Sequence, residues 1–215
     1  MKKIILFTLA LCILLGTVSL FSGCSSMGAP KTEDIYDRVV ELVEASYELN
    51  TVFYGMGLPV YATDSVYADF SHLYYGFAYS GSYEMVKEHT KFQTVEDIKS
   101  AAEQVYSTDY LETVLYPAAF EGYAIDDGIG GSAFSYSRFL EENEWLYQST
   151  SDDNYLDGIR IYDYSTMKVV SPSKKDACFV EMSSWLDHSP DVVTTVRLRF
   201  VLQDDGLWYL DSFTG

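Results

Sequence analysis

The chain has 215 residues, of which 48% are hydrophobic, and its formal net charge at pH 7 is −18. This length fits one domain with a sizeable core. The strong negative charge disfavours nucleic acid and anionic lipid headgroups as partners, because both are negatively charged themselves. The 19 tyrosines suit half-buried sheet faces and also contacts with carbohydrate or peptide.

An export signal is predicted at the start of the chain. Lys2 and Lys3 precede an apolar run over residues 4–15 that contains one polar residue, Thr8. This run is too short and too early for a transmembrane anchor. The signal ends in LFSGC at residues 20–24, and this segment resembles the lipobox of bacterial lipoproteins. The alternative is an ordinary secretory signal, or a signal anchor, that is followed by a chance cysteine.

The lipobox resemblance implies that residues 1–23 are removed and that Cys24 carries a diacylglyceryl lipid. Two acyl chains suffice for stable attachment, so we expect the protein at the extracytoplasmic face of a bacterial membrane. Residues 24–31 would form a short tether, and residues 32–215 a single domain. Cleavage would remove two of the 14 basic residues and none of the 32 acidic ones, which leaves a formal charge of −20.

Cysteine usage predicts a domain without disulfides. Cys12 lies in the signal and Cys24 in the lipobox, which leaves Cys178 alone. One thiol cannot form an internal disulfide, so the exported domain must rely on core burial. Cys178 lies in a predicted strand, and the sequence points to no base or positive charge that would activate it. We therefore expect it to be buried and inert.

The predicted domain begins with an amphipathic helix from Glu33 to about Val52. Thr32 is the candidate N-cap residue, and acidic residues follow it in the first turn. Apolar residues recur at spacings of three and four along one face. The GMGLP segment at 55–59 ends the helix through its glycines and proline. Within residues 60–90 we predict a loop and then a strand pair that is broken at residues 80–82, with 83–87 as the return strand.

Two shorter helices are predicted next. Thr94 forms a capping box with Asp97, which predicts a helix that begins directly after Thr94. Ser107 caps a third helix, which Pro117 closes. The residues of the third helix that are predicted to face inward are Leu111, Val114 and Leu115.

From Ala133 onward, hydrophobic residues recur at every second position, which is typical of strands with one buried face. The predicted strands are residues 139–141, 145–148, 159–170, 177–186, 192–203 and 207–213. Asp205 and Gly206 join the last two strands in a hairpin with suitable turn residues, and we expect Trp208 in this hairpin to be largely buried against the helices. Helices followed by antiparallel strands predict an α+β fold, with the N-terminal helices packed on a curved antiparallel sheet.

This arrangement resembles the nuclear-transport-factor-like, or cystatin-like, domains of bacterial lipoproteins, in which helices pack on a cone-shaped sheet. The resemblance rests on the order of the elements and on the closing hairpin from Arg197 to Asp211. Shorter pieces, at residues 92–98, 106–110 and 138–147, are similar to secreted inhibitors of cell-wall DL-endopeptidases. Neither resemblance identifies functional residues at particular positions.

No segment of the sequence has the pattern of a metal, nucleotide or catalytic site. The acidic loop at 152–158 has Tyr155 where a calcium-binding loop needs an oxygen ligand. The glycine-rich segment at 128–133 follows two aspartates that would repel phosphate. The three histidines show no metal-ligand spacing. We therefore predict no cofactor, no metal and no catalytic residue.

Arg197 and Arg199 lie on one face of a predicted strand in an otherwise acidic chain. They either pair with acidic residues across the sheet or contact an anionic ligand on the open face of the sheet. The leading hypothesis is a noncatalytic binding or regulatory module at the cell surface. Its partner would be a cell-wall fragment, a peptide or another envelope protein, and restraint of wall hydrolases is one such role.

The alternative hypothesis is a small hydrolase or isomerase with its site inside the sheet cone, because this fold class also holds such enzymes. His89 and Asp163 are the candidate acid–base residues. A His–Asp contact inside the cone would favour the enzyme, whereas an interior without a buried ionisable residue would favour the binding module.

Overall fold

The computed structural model describes residues 28–61, 67–68, 83–126, 132–135, 137–150, 156 and 158–215. These residues form a few helices and several antiparallel strand pairs, so the predicted α+β class is confirmed. No described helix is long and apolar enough to cross a membrane. The predicted signal and lipobox, with Cys24, lie outside the described residues.

Helix α1 spans Thr32–Tyr54 and turns one face to the core. Its buried residues are Ile35, Val39, Leu42, Val43, Ser46, Leu49, Asn50, Val52 and Phe53. The helix begins one residue earlier than predicted, so the N-cap residue is Lys31 and the predicted cap was wrong. The Thr32 hydroxyl instead accepts a hydrogen bond from the Val169 N–H at 3.0 Å, because the helix start packs against a strand edge.

Helix α2 spans Val95–Glu103 and confirms the predicted capping box. The Thr94 hydroxyl accepts a hydrogen bond from the Asp97 N–H, and the Asp97 carboxylate accepts one from the Thr94 N–H, both at 3.0 Å. These bonds satisfy N–H groups that have no partner within the first turn, and so they define where the helix begins.

Helix α3 spans Thr108–Tyr110 and continues into two π-helical turns, Leu111–Leu115 and Pro117–Glu121. The predicted cap is confirmed, since the Ser107 hydroxyl accepts a hydrogen bond from the Tyr110 N–H at 3.2 Å. The chain therefore begins this element as expected and departs from the expected winding after its first turn.

Two predictions for this third helix were wrong. Val114 is 42% exposed, because π-helical bonds run from residue i to i+5 and shift the inward face away from the α-helical spacing. Pro117 opens the second π-helical turn and does not close the element. A proline at a first helical position loses no hydrogen bond, since that N–H would have no partner within the turn.

Ten strands complete the described fold. They are β1 (Tyr67–Ala68), β2 (Tyr83–Met85), β3 (Tyr123–Asp126), β4 (Ser132–Ser135), β5 (Phe139–Glu142), β6 (Trp145–Ser149), β7 (Arg160–Val170), β8 (Ala177–Leu186), β9 (Ser189–Leu202) and β10 (Trp208–Leu210). One sheet has the order β1-β2-β6-β5, another has the order β10-β9-β8-β7, and β3 pairs with β4. The described strands form no closed barrel.

The strands predicted from residue 139 onward are confirmed, with shifts of up to three residues at their ends. The return strand predicted over residues 83–87 corresponds to β2, whereas the break at 80–82 lies outside the described residues. The closing hairpin is confirmed as well, because Trp208 pairs with Leu202. Gly206 supplies its turn with a φ of 81°, a conformation that glycine adopts without strain.

The sheet of β7 to β10, here called the main sheet, packs one face on α1. Its buried residues on β8 and β9 alternate along each strand and are Cys178, Val180, Met182, Ser184, Leu198 and Phe200. Trp208 was predicted to be largely buried but is only half-buried. It lies at the start of an edge strand, whereas Leu210 two residues later is fully buried.

Candidate functional site

The two faces of the main sheet differ in what covers them. The inner face packs on α1, and the outer face carries the residues that alternate with the core residues. We call this outer face the open face. Residues that stand directly opposite each other on it include Ile161 with Trp185, Lys168 with Glu181, Glu181 with Arg197, and Phe179 with Arg199. Both predicted binding residues, Arg197 and Arg199, therefore lie on the open face.

Arg199 forms an ion pair with Asp211, which follows β10. The Asp211 side chain is 5% exposed, and its carboxylate also accepts a hydrogen bond from the Ser107 hydroxyl. The charge of Arg199 is thus compensated within the protein. This is the pairing alternative that the sequence had left open.

Arg197 stacks on Phe179, with its guanidinium carbon 4.5 Å from the ring centroid. The guanidinium also donates a hydrogen bond to the Ser171 carbonyl. Glu181, which stands opposite Arg197, pairs with Lys168 at 3.6 Å. The Arg197 side chain is exposed, and a guanidinium has five donors. It is therefore positioned by its neighbours while it can still donate to an anion.

The open face is apolar at the end of the main sheet where β8 turns into β9. The aliphatic residues there are 38–58% exposed: Ile159, Ile161 and Val193. Trp185 lies half-buried directly opposite Ile161. We call these four residues the distal patch. Single exposed apolar residues are common on protein surfaces, but a contiguous group of them marks an interaction site.

Behind the distal patch, the inner face of the sheet is polar. Thr214 is fully buried, and its hydroxyl lies 2.6 Å from Ser46 Oγ and accepts a hydrogen bond from the Asn50 amide at 2.7 Å. The Thr214 carbonyl accepts a hydrogen bond from the Tyr162 hydroxyl at 2.5 Å. Tyr106 completes the group by donating to Asn50 at 3.1 Å. At this end the sheet buries polar side chains and exposes apolar ones.

The buried polar residues of the described chain are all uncharged. They are Ser46, Asn50, Ser107, Ser137, Gln148, Ser184 and Thr214. Burial raises the pKa of Tyr106 and of Tyr162, so both hydroxyls stay protonated at neutral pH and act as hydrogen-bond donors. These groups hold the fold together, and the nearly buried Asp211 carboxylate beside Ser107 is paired with Arg199.

The residues suggested for an enzyme lie in different parts of the fold. His89 lies in the loop after β2, whereas Asp163 lies on β7, where its carboxylate accepts a hydrogen bond from the Ser165 N–H at 3.0 Å. A His–Asp contact does occur between His188 and Asp187, at 3.3 Å, but on an exposed turn. At this turn the pKa of Asp187 is lowered, chiefly because its carboxylate accepts a hydrogen bond from the Ile159 N–H.

Cys178 is fully buried, and burial raises the pKa of its thiol to about 12. At neutral pH the thiol is therefore protonated and inert, as the sequence predicted. Among the residues that the structure describes, no group of three His, Cys, Asp or Glu could hold a metal ion. The acidic loop at 152–158 and the glycine-rich segment lie largely outside those residues, and His72 lies wholly outside them.

A second feature is the loop of residues 55–60, which follows α1 and is flanked by open grooves of about 480 and 450 Å³. The Gln148 side chain accepts a hydrogen bond from the Leu58 N–H at 2.7 Å and donates one to the Met56 carbonyl at 3.1 Å. Gly57 has a φ of 75°, and a Cβ there would lie 2.0 Å from the Gln148 amide oxygen. Because the Gln148 amide is bonded to the loop itself, we assign it a structural role.

Comparison of the chain with protein-family models, with curated proteins and with solved structures finds no match. We therefore infer the function from the open face and its distal patch. The sequence does carry a signal for the patch, since Ile159 and Ile161 alternate with Arg160 and Tyr162 in the same strand region. Either set could face the core, and only the packed fold decides which one does.

Proposed function

We propose that the mature chain is a noncatalytic binding module that lipid on Cys24 anchors at the extracytoplasmic face of a bacterial membrane. Its partner would be an envelope protein or peptide that packs apolar side chains on the distal patch. The observation that carries the proposal is the reversed polarity of the main sheet at its β8–β9 end.

The energetics of burial support this proposal. Complete burial of an aliphatic side chain stabilises a protein by roughly 1.5–3 kcal/mol relative to exposure. The distal patch leaves three such side chains in solvent, while hydroxyl and amide groups occupy the interior behind them. Folding alone does not require this arrangement, whereas a partner that covers the patch would recover the unused burial energy.

Arg197 supports a partner that also carries a carboxylate. It lies on the same open face as the distal patch, and its contact with Phe179 fixes the direction of the guanidinium. Arg199 contributes less, since Asp211 already compensates its charge. An extended segment with apolar residues at one end and an acidic residue at the other would match this face.

The interior of the described fold gives the enzyme alternative no comparable support. Its buried polar groups bond to one another, and the nearly buried Asp211 carboxylate is already paired with Arg199. A restraint on wall hydrolases remains one form that the binding function could take, because an apolar docking patch suits a protein partner.

The lipid anchor is tested by labelling cells with a fatty-acid analogue. The wild-type chain should incorporate the label, and Cys24→Ala should abolish incorporation because no other residue of the lipobox offers a thiol. Labelling of the Cys24→Ala variant at the wild-type level would overturn the anchor.

The binding site is tested by placing a photo-crosslinking amino acid at Val193 in the full-length chain in its own cells. Met56 serves as the matched control, because it is also apolar and is 80% exposed but lies outside the distal patch. We expect one discrete adduct from position 193, its loss in Ile161→Asp, and no such adduct from position 56. Equal adducts from both positions would contradict a specific site.

A further inference from the structure

The fold brings several lysines to the corner of the domain where α1 begins. Thr32, the first residue of α1, bonds to Val169 near the end of β7, so the predicted tether enters at this point. The loop between β7 and β8, residues 171–176, leaves the sheet beside it. The exposed lysines in this region are Lys31, Lys168, Lys174 and Lys175, and we call them the basic corner.

Hydrogen bonds hold the loop at 171–176 in a defined position. The Ser173 hydroxyl donates to the Val170 carbonyl at 2.6 Å and accepts a hydrogen bond from the Phe179 N–H at 3.0 Å. Arg197 donates to the Ser171 carbonyl. A loop fixed in this way keeps its two lysines on the surface and ready to contact an anionic plane.

The charge of the basic corner differs from that of the rest of the chain. The acidic residues beside it are Glu33, Asp34, Asp176 and Glu181. The corner has four basic residues against these four and is close to neutral, whereas the remainder of the mature chain has eight basic residues against 28 acidic ones. Asp204 and Asp205 lie at the same end of the main sheet but on the β9–β10 turn, so the basic surface is confined to the corner.

We propose that the basic corner rests on anionic lipid headgroups and so orients the domain on its membrane, an inference that rests on the lipid anchor of the proposed function. The average charge of the chain disfavours such a contact, but the headgroups meet only the part of the domain nearest the tether. At physiological salt, charges beyond about 8 Å are largely screened. Each lysine near an anionic surface favours contact by a factor of roughly five.

This orientation would place the distal patch away from the bilayer. Strand β8 has 10 residues and runs from the loop at 171–176 to the turn beside the patch, a length of about 33 Å. The membrane contact and the proposed binding site thus lie at opposite ends of the same strand, and the patch stays accessible to a partner.

The test uses the full-length lipidated protein in vesicles that carry nitroxide-labelled headgroups. A fluorophore is attached at Ser171→Cys, near the basic corner, or at Val192→Cys, next to the distal patch. Cys178 is fully buried and should not react. We expect quenching of the Ser171 probe, but not of the Val192 probe, to rise in vesicles that contain phosphatidylglycerol and to fall in high salt.

Lys174→Gln with Lys175→Gln should weaken docking about 25-fold, a factor of roughly five for each lysine, and return quenching to its level in zwitterionic vesicles. Lys87→Gln with Lys91→Gln changes the net charge equally, at a site outside the corner, and should leave quenching unchanged. An equal loss in both double variants would overturn the proposal, as would quenching independent of phosphatidylglycerol. Protein that separates from the vesicles on flotation would overturn the lipid anchor and the orientation together.

Discussion

The two ends of the main sheet place polar and apolar side chains in opposite ways. Near the tether, Val180 and Phe200 are buried against α1 while Lys168 and Arg197 face solvent. Near the β8–β9 turn, buried hydroxyl and amide groups lie behind an apolar surface. The first arrangement is what burial of apolar surface predicts for any sheet with one covered face.

The same alternating pattern therefore serves two purposes along these strands. The end near the tether contributes the apolar core and, through its exposed charges, solubility. The other end stabilises the fold by specific hydrogen bonds, which frees its open face for a partner. Each end should therefore respond differently to the same kind of change.

The largest expected effect is on the hydrogen-bonded end, and it appears at alkaline pH. Burial raises the pKa of Tyr54, Tyr106 and Tyr162, so the folded chain keeps protons that the unfolded chain releases above about pH 10. Stability is then fully present below that pH and is lost as the pH rises, by about 4 kcal/mol per pH unit for three tyrosines. Urea unfolding between about pH 8 and 11 measures this.

Tyr162→Phe serves as the control for this pH dependence. It should make the alkaline slope shallower by about 1.4 kcal/mol per pH unit, because one tyrosine with a raised pKa is removed. A free energy of unfolding that stays constant up to about pH 11 would show that the tyrosines do not couple ionisation to folding.

Thr214→Val should destabilise the same end by about 2–3 kcal/mol, because the Asn50 amide and the Ser46 hydroxyl lose a buried partner. Thr195→Val, on the open face, provides the same substitution at an exposed position and should change stability by less than about 0.5 kcal/mol. Chemical unfolding of both variants measures the difference, and equal losses would argue against a buried network.

The substitution of valine by threonine compares the two ends directly. Val180→Thr buries a hydroxyl in the apolar end and should cost about 2 kcal/mol of stability. Val193→Thr places the same hydroxyl in the distal patch and should cost less than about 0.5 kcal/mol, while it weakens the crosslink of a neighbouring probe at Ile161. A stability loss at Val193 as large as that at Val180 would mean that the patch belongs to the core.

The smallest effects are expected for the two arginines of the open face: Arg199→Gln should cost about 1 kcal/mol, because Arg199 is half-exposed but its partner Asp211 is nearly buried. Asp211 would keep its hydrogen bond from Ser107. Arg197→Gln should also leave stability nearly unchanged but should weaken capture of an acidic partner. Unfolding and crosslinking yields measured on both variants separate these roles, and equal yields would remove Arg197 from the site.

Local patterns in the sequence predicted many elements correctly. The Thr94 capping box begins α2, the Asp205-Gly206 turn joins β9 to β10, and the alternation of hydrophobic and basic residues from Val196 to Phe200 marks β9. Each of these depends on residues that are close in sequence, so a short segment contains the information.

Predictions that depended on distant neighbours were wrong. Thr32 bonds to a strand that lies far along the chain, and Val114 is exposed because the helix changes its winding against the core. Trp208 is half-buried at the start of an edge strand, which has a neighbouring strand on one side only. In each case the deciding contact comes from an element that the local pattern does not include.

The candidate site divides in the same way. The sequence alone determined that Arg197 and Arg199 share a face, that Cys178 lies in a strand, and that the charge is strongly negative, because these follow from order and composition. The packing of the tertiary structure determines which face of β7 is buried, where the lysines lie on the surface, and that Asp211 pairs with Arg199. Burial and charge pairing depend on which elements pack together. An alternating strand can bury either of its faces, and the face that becomes buried is the one on which the helices pack.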